Sequence, residues 1–147
     1  MQNTARSYQA YYKTNVETTD RLSLVIMLYD GMIRFMKKAV AKIEQGDVEE
    51  AHNYLVRAKE IISELLSTLR LEEGGELAQN LKNLYLYSFK KIVEANLKKD
   101  PDMIREVIQV MENLRQGWIQ VKGQQTSQKQ NMSAAYQAGQ KKIRVQG

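Results

Sequence analysis

One pair of residues in this chain has the spacing of a metal site. Glu49 and His52 are three positions apart, the Glu-x-x-His spacing that helical bundles use at di-iron centres. Such a centre needs a second copy of the pair, and His52 is the only histidine in the sequence. Because the chain also has no cysteine, the usual zinc ligand sets are lacking too. We therefore predict no metal site and interpret both residues as polar groups on a helix surface.

The residue types needed for covalent catalysis are equally scarce. With one histidine and no cysteine, the sequence offers neither a Cys-His pair nor a convincing Ser-His-Asp set. Gly74-Gly75 is an isolated glycine pair, which favours a helix stop over a phosphate-binding loop. Lysine pairs such as Lys37-Lys38 are typical of solvated helix faces. We predict that the protein is not an enzyme and that it uses no cofactor.

The elements that carry these residues are predicted to be helices, because good helix formers dominate and proline occurs once. Residues that start or stop helices occur at Thr18-Thr19-Asp20, Gly46-Asp47, Gly74-Gly75 and Asp100-Pro101. The intervals between them predict helices near residues 20–45, 48–71, 76–98 and 101–121. Short loops make neighbouring helices antiparallel, so we predict an all-α, antiparallel up-down four-helix bundle.

Each predicted helix has an apolar stripe at i, i+3, i+4 spacing. In the first helix the stripe is Leu22, Val25, Ile26, Tyr29, Met32, Ile33, Met36, Val40 and Ile43. In the third it is Leu77, Leu81, Leu84, Tyr85, Ser88, Ile92 and Ala95. In the second it is Val48, Ala51, Leu55, Ala58, Ile62, Leu65, Leu66 and Leu69. In the fourth it is Met103, Ile104, Val107, Ile108, Met111, Leu114, Trp118 and Val121. Together the four stripes are predicted to form the core.

The first and third helices carry more apolar residues than one stripe needs. The additional residues are Leu24, Met27, Leu28 and Phe35 in the first helix and Leu86, Tyr87 and Phe89 in the third. Large exposed apolar surfaces mark interaction sites. Two explanations stay open: the N-terminal residues cover this surface within the same chain, or a partner polypeptide covers it.

Both ends of the chain are predicted to lie outside the bundle. Residues 5–16 place Tyr8 and Tyr12 on one helical face with Tyr11 beside them, so we expect a short amphipathic segment docked on the bundle. Residues 123–147 hold four basic residues and no acid, whereas residues 1–122 hold 18 basic and 17 acidic residues. We therefore predict a bundle domain over 1–122 and a basic, Gln-rich, flexible tail over 123–147.

The order of motifs resembles the flagellar export chaperones of the FliS family over about residues 5–121. The matching residues are Tyr8-x-x-Tyr11-Tyr12, Val16-Glu17-Thr18-Thr19, Leu24 to Gly31, Gly46-Asp47, Ala58 to Ile62, Gly74 to Ala78, Leu84-Tyr85-x-Tyr87, Ala95-Asn96 and Trp118. The resemblance implies a helical bundle in the cytosol that binds the disordered C-terminal segment of flagellin. It also implies that binding prevents premature filament assembly and assists delivery to the export apparatus, with export-gate components as further partners.

The resemblance also indicates which residues bind the partner. The candidate groove residues are Ile26, Tyr29, Ile33, Tyr85 and Tyr87, and the candidate N-terminal contacts are Tyr8, Tyr11 and Tyr12.

Two other functions compete with this interpretation. The basic tail could serve a nucleic-acid-associated protein, although a nearly neutral body disfavours that function and we expect no nucleic-acid partner. The surplus apolar surface could instead join two copies of a self-associating structural protein, so we expect a monomer or a weak dimer. The chain begins without a signal-peptide pattern and has no apolar run near the roughly 20 residues of a membrane span, so we expect a cytoplasmic protein without membrane insertion.

Overall fold

The protein is all-α, as the sequence predicts, and a computed structural model gives four helices and no strand in its described residues. The structure describes the backbone of residues 2–69 and 71–146, and the side chains of residues 20–69, 74–127, 130–135 and 137–138. The helices are α1 Gln2–Glu44, α2 Val48–Thr68, α3 Leu71–Lys98 and α4 Pro101–Gln146. Residues 25–116 form one compact unit, and the described residues of 1–24 and 117–147 form another.

Helix α1 begins at Gln2 rather than near residue 20. Residues 2–19 contain neither proline nor glycine, so nothing in their chemistry ends a helix there. The capping residues Thr18-Thr19-Asp20 contribute only about 1 kcal/mol when they cap, and here they lie within the helix. The N-terminal residues are therefore part of α1. The side chains of Tyr8, Tyr11 and Tyr12 lie outside the described residues, and their docking stays a prediction.

Helix α4 continues to Gln146, well beyond the predicted end near residue 121. The only proline in the chain is Pro101, at the start of this helix. Glycines at 117 and 123 each cost about 1 kcal/mol relative to alanine but do not break a helix. The helical backbone therefore includes most of the basic tail. The division into domains at residue 122 stays a prediction.

The turn between α1 and α2 follows the predicted chemistry of Gly46-Asp47. Gly46 has φ of 79°, the left-handed conformation that glycine adopts without strain. Its N–H donates to the carbonyl of Ile43 at 3.0 Å, and the Asp47 N–H donates to the carbonyl of Lys42 at 2.8 Å. These two bonds form a Schellman motif. The Asp47 carboxylate then accepts from the Glu50 N–H at 3.1 Å and caps α2.

The predicted break at Gly74-Gly75 is a kink inside α3. Helix α2 ends at Thr68 and Leu69 is extended, with φ of −76° and ψ of 128°. Helix α3 then starts at Leu71, and its backbone leaves helical geometry at Gly75, where φ is 58° and ψ is −139°. Only glycine adopts this conformation without strain, so the residue type determines where the kink lies.

Helix α3 ends with a residue in the left-handed conformation, Lys99, whose φ is 51°. The Asp100 N–H donates to the carbonyl of Ala95 at 3.0 Å and closes the helix end. Asp100 then caps α4 by accepting from the Asp102 N–H at 3.0 Å, with Pro101 as the first helical residue. This arrangement confirms the helix start predicted from Asp100-Pro101.

Within residues 25–116, the predicted stripes form the core. The largest fully buried side chains include Tyr29, Tyr85, Met32, Met36, Leu55, Ile62, Leu65, Ile92, Ile104 and Met111. Val48 and Leu77 were assigned to the stripes but are exposed, and that assignment is wrong. Val48 is the first residue of α2, and Leu77 is two residues beyond the kink. At these two positions the apolar pattern continues beyond the part of the helix that neighbouring helices cover. Val121, in the other unit, is also exposed rather than in a core.

Side-chain contacts establish which helices of this unit are neighbours. Phe35 of α1 stacks on Tyr54 of α2, with ring centroids 6.1 Å apart. Asn96 of α3 hydrogen-bonds His52 of α2 at 2.8 Å. The remaining neighbours are joined by ion pairs: Lys91 with Glu106 connects α3 to α4, and Lys37 with Glu112, at 2.9 Å, connects α4 to α1. The helices therefore form a closed ring in chain order.

Tyr29 and Tyr85 connect α1 and α3 across the middle of this ring. Their ring centroids are 6.3 Å apart, and their hydroxyl groups are hydrogen-bonded to each other. Neither side chain is more than 1% exposed. A buried hydroxyl needs a hydrogen-bond partner, so this pair favours one register of α1 against α3.

No helix in the described part of the chain combines the length and the apolar character needed to cross a membrane.

The left-handed conformation of Lys99 predicts a stabilising substitution. Lys99→Gly should raise the free energy of unfolding by about 0.5–1 kcal/mol, because glycine adopts this conformation without steric cost. Urea denaturation measures the change. Lys90→Gly is the matched control: Lys90 is exposed within α3, and glycine there should destabilise by about 1 kcal/mol. Equal effects of the two substitutions would contradict the prediction.

The Tyr29–Tyr85 hydrogen bond predicts energetic coupling between the two residues. Tyr29→Phe and Tyr85→Phe should each destabilise the protein, and the double variant should lose about 1 kcal/mol less than the two single losses together. Chemical denaturation of the four proteins measures this difference. Additive losses would show that the hydroxyl groups act independently.

Candidate functional site

Three of the predicted partner-binding residues lie in the core. Tyr29 and Tyr85 contact each other there, and Ile33 is 7% exposed. They are the stripe positions that point inward between the helices, which periodicity alone cannot distinguish from the walls of a groove. In this conformation Tyr29 and Tyr85 have almost no surface to offer a partner. Their role in binding stays a prediction, and it would require the bundle to open.

Two other predicted residues reach the surface. Tyr87, on α3, is 55% exposed, and Ile26, on α1, is half-buried. The structure therefore separates Tyr85 from Tyr87, although only one residue lies between them. A two-residue step turns a helix by about 200°, so the two side chains leave α3 on opposite sides.

Tyr87 lies beside the ion pair that joins α3 to α4. Lys91 donates to the Tyr87 hydroxyl at 3.2 Å, and its ammonium lies 5.5 Å from the centre of the Tyr87 ring. The same ammonium binds Glu106 of α4. The hydrogen bond to Glu106 is the main reason that the pKa of Lys91 is raised above its ordinary value, and the bond to Tyr87 adds to it. Tyr87 therefore borders the α3–α4 seam.

Apolar side chains continue along this seam, one to two turns from the ion pair. Because α3 and α4 are antiparallel, the positions that follow Glu106 along α4 accompany those that precede Lys91 along α3. Leu84 on α3 and Val110 and Leu114 on α4 are half-buried there. We define the α3–α4 strip as Leu84, Tyr87, Val110 and Leu114. Leu86 is 48% exposed, but it is two residues from Leu84 and leaves α3 on the other side. Sequence reasoning identified Tyr87, placed Leu84 and Leu114 in the core stripes and missed Val110.

The surplus apolar residues of α1 differ from those of α3, because α2 covers part of them. Phe35 is stacked on Tyr54 and is half-buried. Gly31 faces α2 closely: a Cβ atom at this position would lie 3.3 Å from Cδ1 of Ile61. The missing side chain lets the two helices approach. Met27 remains 67% exposed, so α2 covers only part of the surplus apolar surface of α1. Coverage by α2 is a third explanation, in addition to coverage by the N-terminal residues or by a partner.

A groove of about 740 Å³ separates α1 from α4. Ile33 and Ala41 contribute apolar surface to it, and two ion pairs span it: Lys37 with Glu112, and Arg115 with Asp30. These pairs connect the two helices across the groove.

The described side chains suit binding to a polypeptide. The α3–α4 strip offers apolar contact area, and the Tyr87 hydroxyl, Lys91 and Glu106 offer a polar edge. Such an arrangement is typical of a surface that accepts an amphipathic segment. Among the described residues, no cluster of three or more histidine, aspartate or glutamate side chains is placed to hold a metal ion.

Comparison with known proteins gives a consistent result. The sequence profile of the family described as Flagellar protein FliS matches residues 3–125. The flagellar secretion chaperone FliS of Campylobacter jejuni is 35% identical over 120 residues, which cover 82% of this chain and 94% of that protein. The chaperone of the same name from Salmonella typhimurium is 35% identical over 80% of this chain and 91% of its own length. The Bacillus subtilis protein is 34% identical over 77% and 84%, respectively.

The match covers α1 to α3 and α4 as far as residue 125, and the relatives are nearly as long as the matched region. With its all-α bundle and its apolar α3–α4 strip, this chain belongs to the FliS family of flagellar secretion chaperones.

Proposed function

We propose that this protein is a cytosolic chaperone that binds the disordered C-terminal segment of flagellin. Binding prevents premature polymerisation of flagellin and assists its delivery to the flagellar export apparatus. Membership of the FliS family supports the export role. The observation that carries the binding surface is the 55% exposure of Tyr87 beside the α3–α4 seam.

The mode of binding follows from the shape of this surface. An amphipathic segment can place apolar side chains on the α3–α4 strip at helical spacing, as helices do in apolar grooves. Tyr87 gives a large apolar contact area while its hydroxyl stays hydrogen-bonded to Lys91. Covering the apolar stripe of unassembled flagellin keeps that stripe from pairing with another flagellin.

Ordering a disordered segment limits the affinity, because ordering typically costs 2–5 kcal/mol or more of the gross interaction energy. The strip is short, so a long contact is needed to offset this cost. Ile26 and the tyrosines at 8, 11 and 12 are candidate further contacts for the same segment. A modest net affinity is useful here, because the cargo must be released at the export apparatus.

Binding should be saturable, one-to-one and accompanied by a negative change in heat capacity, since apolar surface is removed from water. Calorimetric titration with the C-terminal segment of flagellin from the same organism measures all three. Bound segment should also raise the melting temperature of the chaperone. A titration without heat at several temperatures, together with an unchanged melting temperature, would contradict the proposed function.

Truncating the strip should weaken binding without unfolding the bundle. Tyr87→Ala should reduce affinity for the flagellin segment by about 5- to 30-fold, or about 1–2 kcal/mol, because it removes exposed contact area. Calorimetry measures the affinity, and circular dichroism confirms that the variant is folded.

Leu97→Ala is the matched control, because Leu97 is another exposed apolar residue of α3, at 82%. It lies near the C-terminal end of the helix, away from the strip, and its substitution should leave affinity unchanged. If Leu97→Ala weakens binding as much as Tyr87→Ala, the segment does not use the strip selectively. Light scattering on the free protein checks whether the strip instead joins two copies of the chain.

A further inference from the structure

A group of aromatic and basic side chains on the outer face of α1 and α2 has no part in the surface proposed for flagellin. Phe35 of α1 and Tyr54 of α2 are stacked, with their planes 26° apart. Three cations surround them: Arg34, Lys38 and Arg57. We call these five residues the α1–α2 cluster.

Each cation contacts an aromatic ring. The guanidinium carbons of Arg34 and Arg57 each lie 5.6 Å from the centre of the Phe35 ring, and the Lys38 ammonium lies 5.6 Å from the centre of the Tyr54 ring. Arg57 is also 6.0 Å from the centre of the Tyr54 ring, so it bridges the two aromatics. Contacts of this kind hold the cations against the helix surface and limit the number of rotamers that they sample.

The cluster also has an excess of positive charge. Among the described residues, no carboxylate forms an ion pair with Arg34, Lys38 or Arg57. The adjacent cations of this unit are neutralised, because Lys37 is paired with Glu112 and Arg115 with Asp30. Three cations that form no ion pair with a described carboxylate, around two half-buried aromatic rings, are a suitable place for carboxylates that flank apolar side chains.

The surroundings favour a peptide over a nucleic acid. Glu50 and Glu60 share a shallow groove on α2 with Tyr54 and Arg57. A phosphate backbone carries closely spaced charges along its length and would meet these carboxylates. In a peptide, acidic residues can be spaced to meet the cations while other positions avoid the glutamates.

We propose that the α1–α2 cluster is a docking surface for an acidic, apolar-containing peptide segment of a partner protein other than the flagellar cargo. The cluster lies on α1 and α2, and the α3–α4 strip lies on α3 and α4, so the two surfaces share no residue. The acidic segment and the cargo therefore bind at the same time. Carboxylates of the segment contact Arg34, Lys38 and Arg57, and an apolar side chain packs on the Phe35 and Tyr54 rings.

A labelled model peptide tests this inference on the full-length protein. The probe is a short peptide with glutamates at helical i, i+4 spacing and leucines between them, and binding is followed by fluorescence anisotropy. A second peptide carries lysine in place of each glutamate. We expect saturable micromolar binding of the acidic peptide only, weakening as NaCl rises from about 50 mM to about 500 mM.

Paired substitutions locate the site. Arg34→Gln with Arg57→Gln should weaken binding of the acidic peptide by about tenfold, because it removes two of the three cations while keeping side-chain length. Lys90→Gln with Lys98→Gln removes the same charge from exposed positions of α3 and should change affinity less than about twofold. Circular dichroism checks that both variants are folded.

Three results would overturn the inference. They are absence of binding by the acidic peptide, equal weakening by the two paired variants, and tighter binding of a single-stranded oligothymidylate than of the peptide at the same salt concentration. A saturating amount of the flagellin segment should leave the peptide affinity unchanged. Competition would instead show that the cluster belongs to the cargo site. The peptide result does not depend on whether flagellin is the cargo, so the two proposals fail separately.

Discussion

The buried hydrogen bond between Tyr29 and Tyr85 is the constraint on which the arrangement of this bundle depends most directly. These are the two largest fully buried side chains, and each brings a hydroxyl group into an apolar core. A hydroxyl without a partner there would cost about 1–3 kcal/mol. The two tyrosines satisfy each other across the middle of the ring of helices, so sliding α1 along α3 would cost both packing and hydrogen bonding. Helices α2 and α4 then complete the core on either side.

The surplus apolar residues outside the core differ in how far other side chains cover them. On α1, Phe35 is partly covered by Tyr54 and surrounded by cations, and Gly31 allows α2 to approach closely. On α3, no described residue covers Leu86 and Tyr87 to the same extent. The bundle therefore carries an apolar surface on one side and an aromatic, cationic surface on the other. A chaperone that must hold an aggregation-prone segment and also meet other components of an export pathway can use two chemically different surfaces.

The physical logic of such a chaperone is a balance between folding and binding. Apolar residues on the surface of a chaperone are available to bind a client and are not needed for its core. The same exposed residues can also cause the chaperone to self-associate. Here the α3–α4 strip is short and has a polar edge formed by Lys91 and Glu106. The edge keeps the surface hydrated when it is empty, and it restricts the orientation of an amphipathic segment when it is filled. A short strip also favours an affinity low enough for release.

The sequence alone determined the features that depend on local chemistry. Gly46-Asp47 and Asp100-Pro101 end and start helices because their backbone conformations and capping oxygens act within a few residues, and the stripes of α1 and α3 identify the buried faces. The ordered motifs were sufficient to indicate the family. The start of α1 and the end of α4 were not predictable from the sequence. The capping residues near residue 20 and the weakly apolar residues after residue 121 are compatible with a continuing helix as well as with a helix end. Periodicity placed Tyr85 in the core stripe and Tyr87 outside it, but only the tertiary structure decided that Tyr87 stays exposed and that Phe35 packs on Tyr54. Periodicity gives the face of a helix on which a side chain lies, but what covers that face depends on residues distant in the chain.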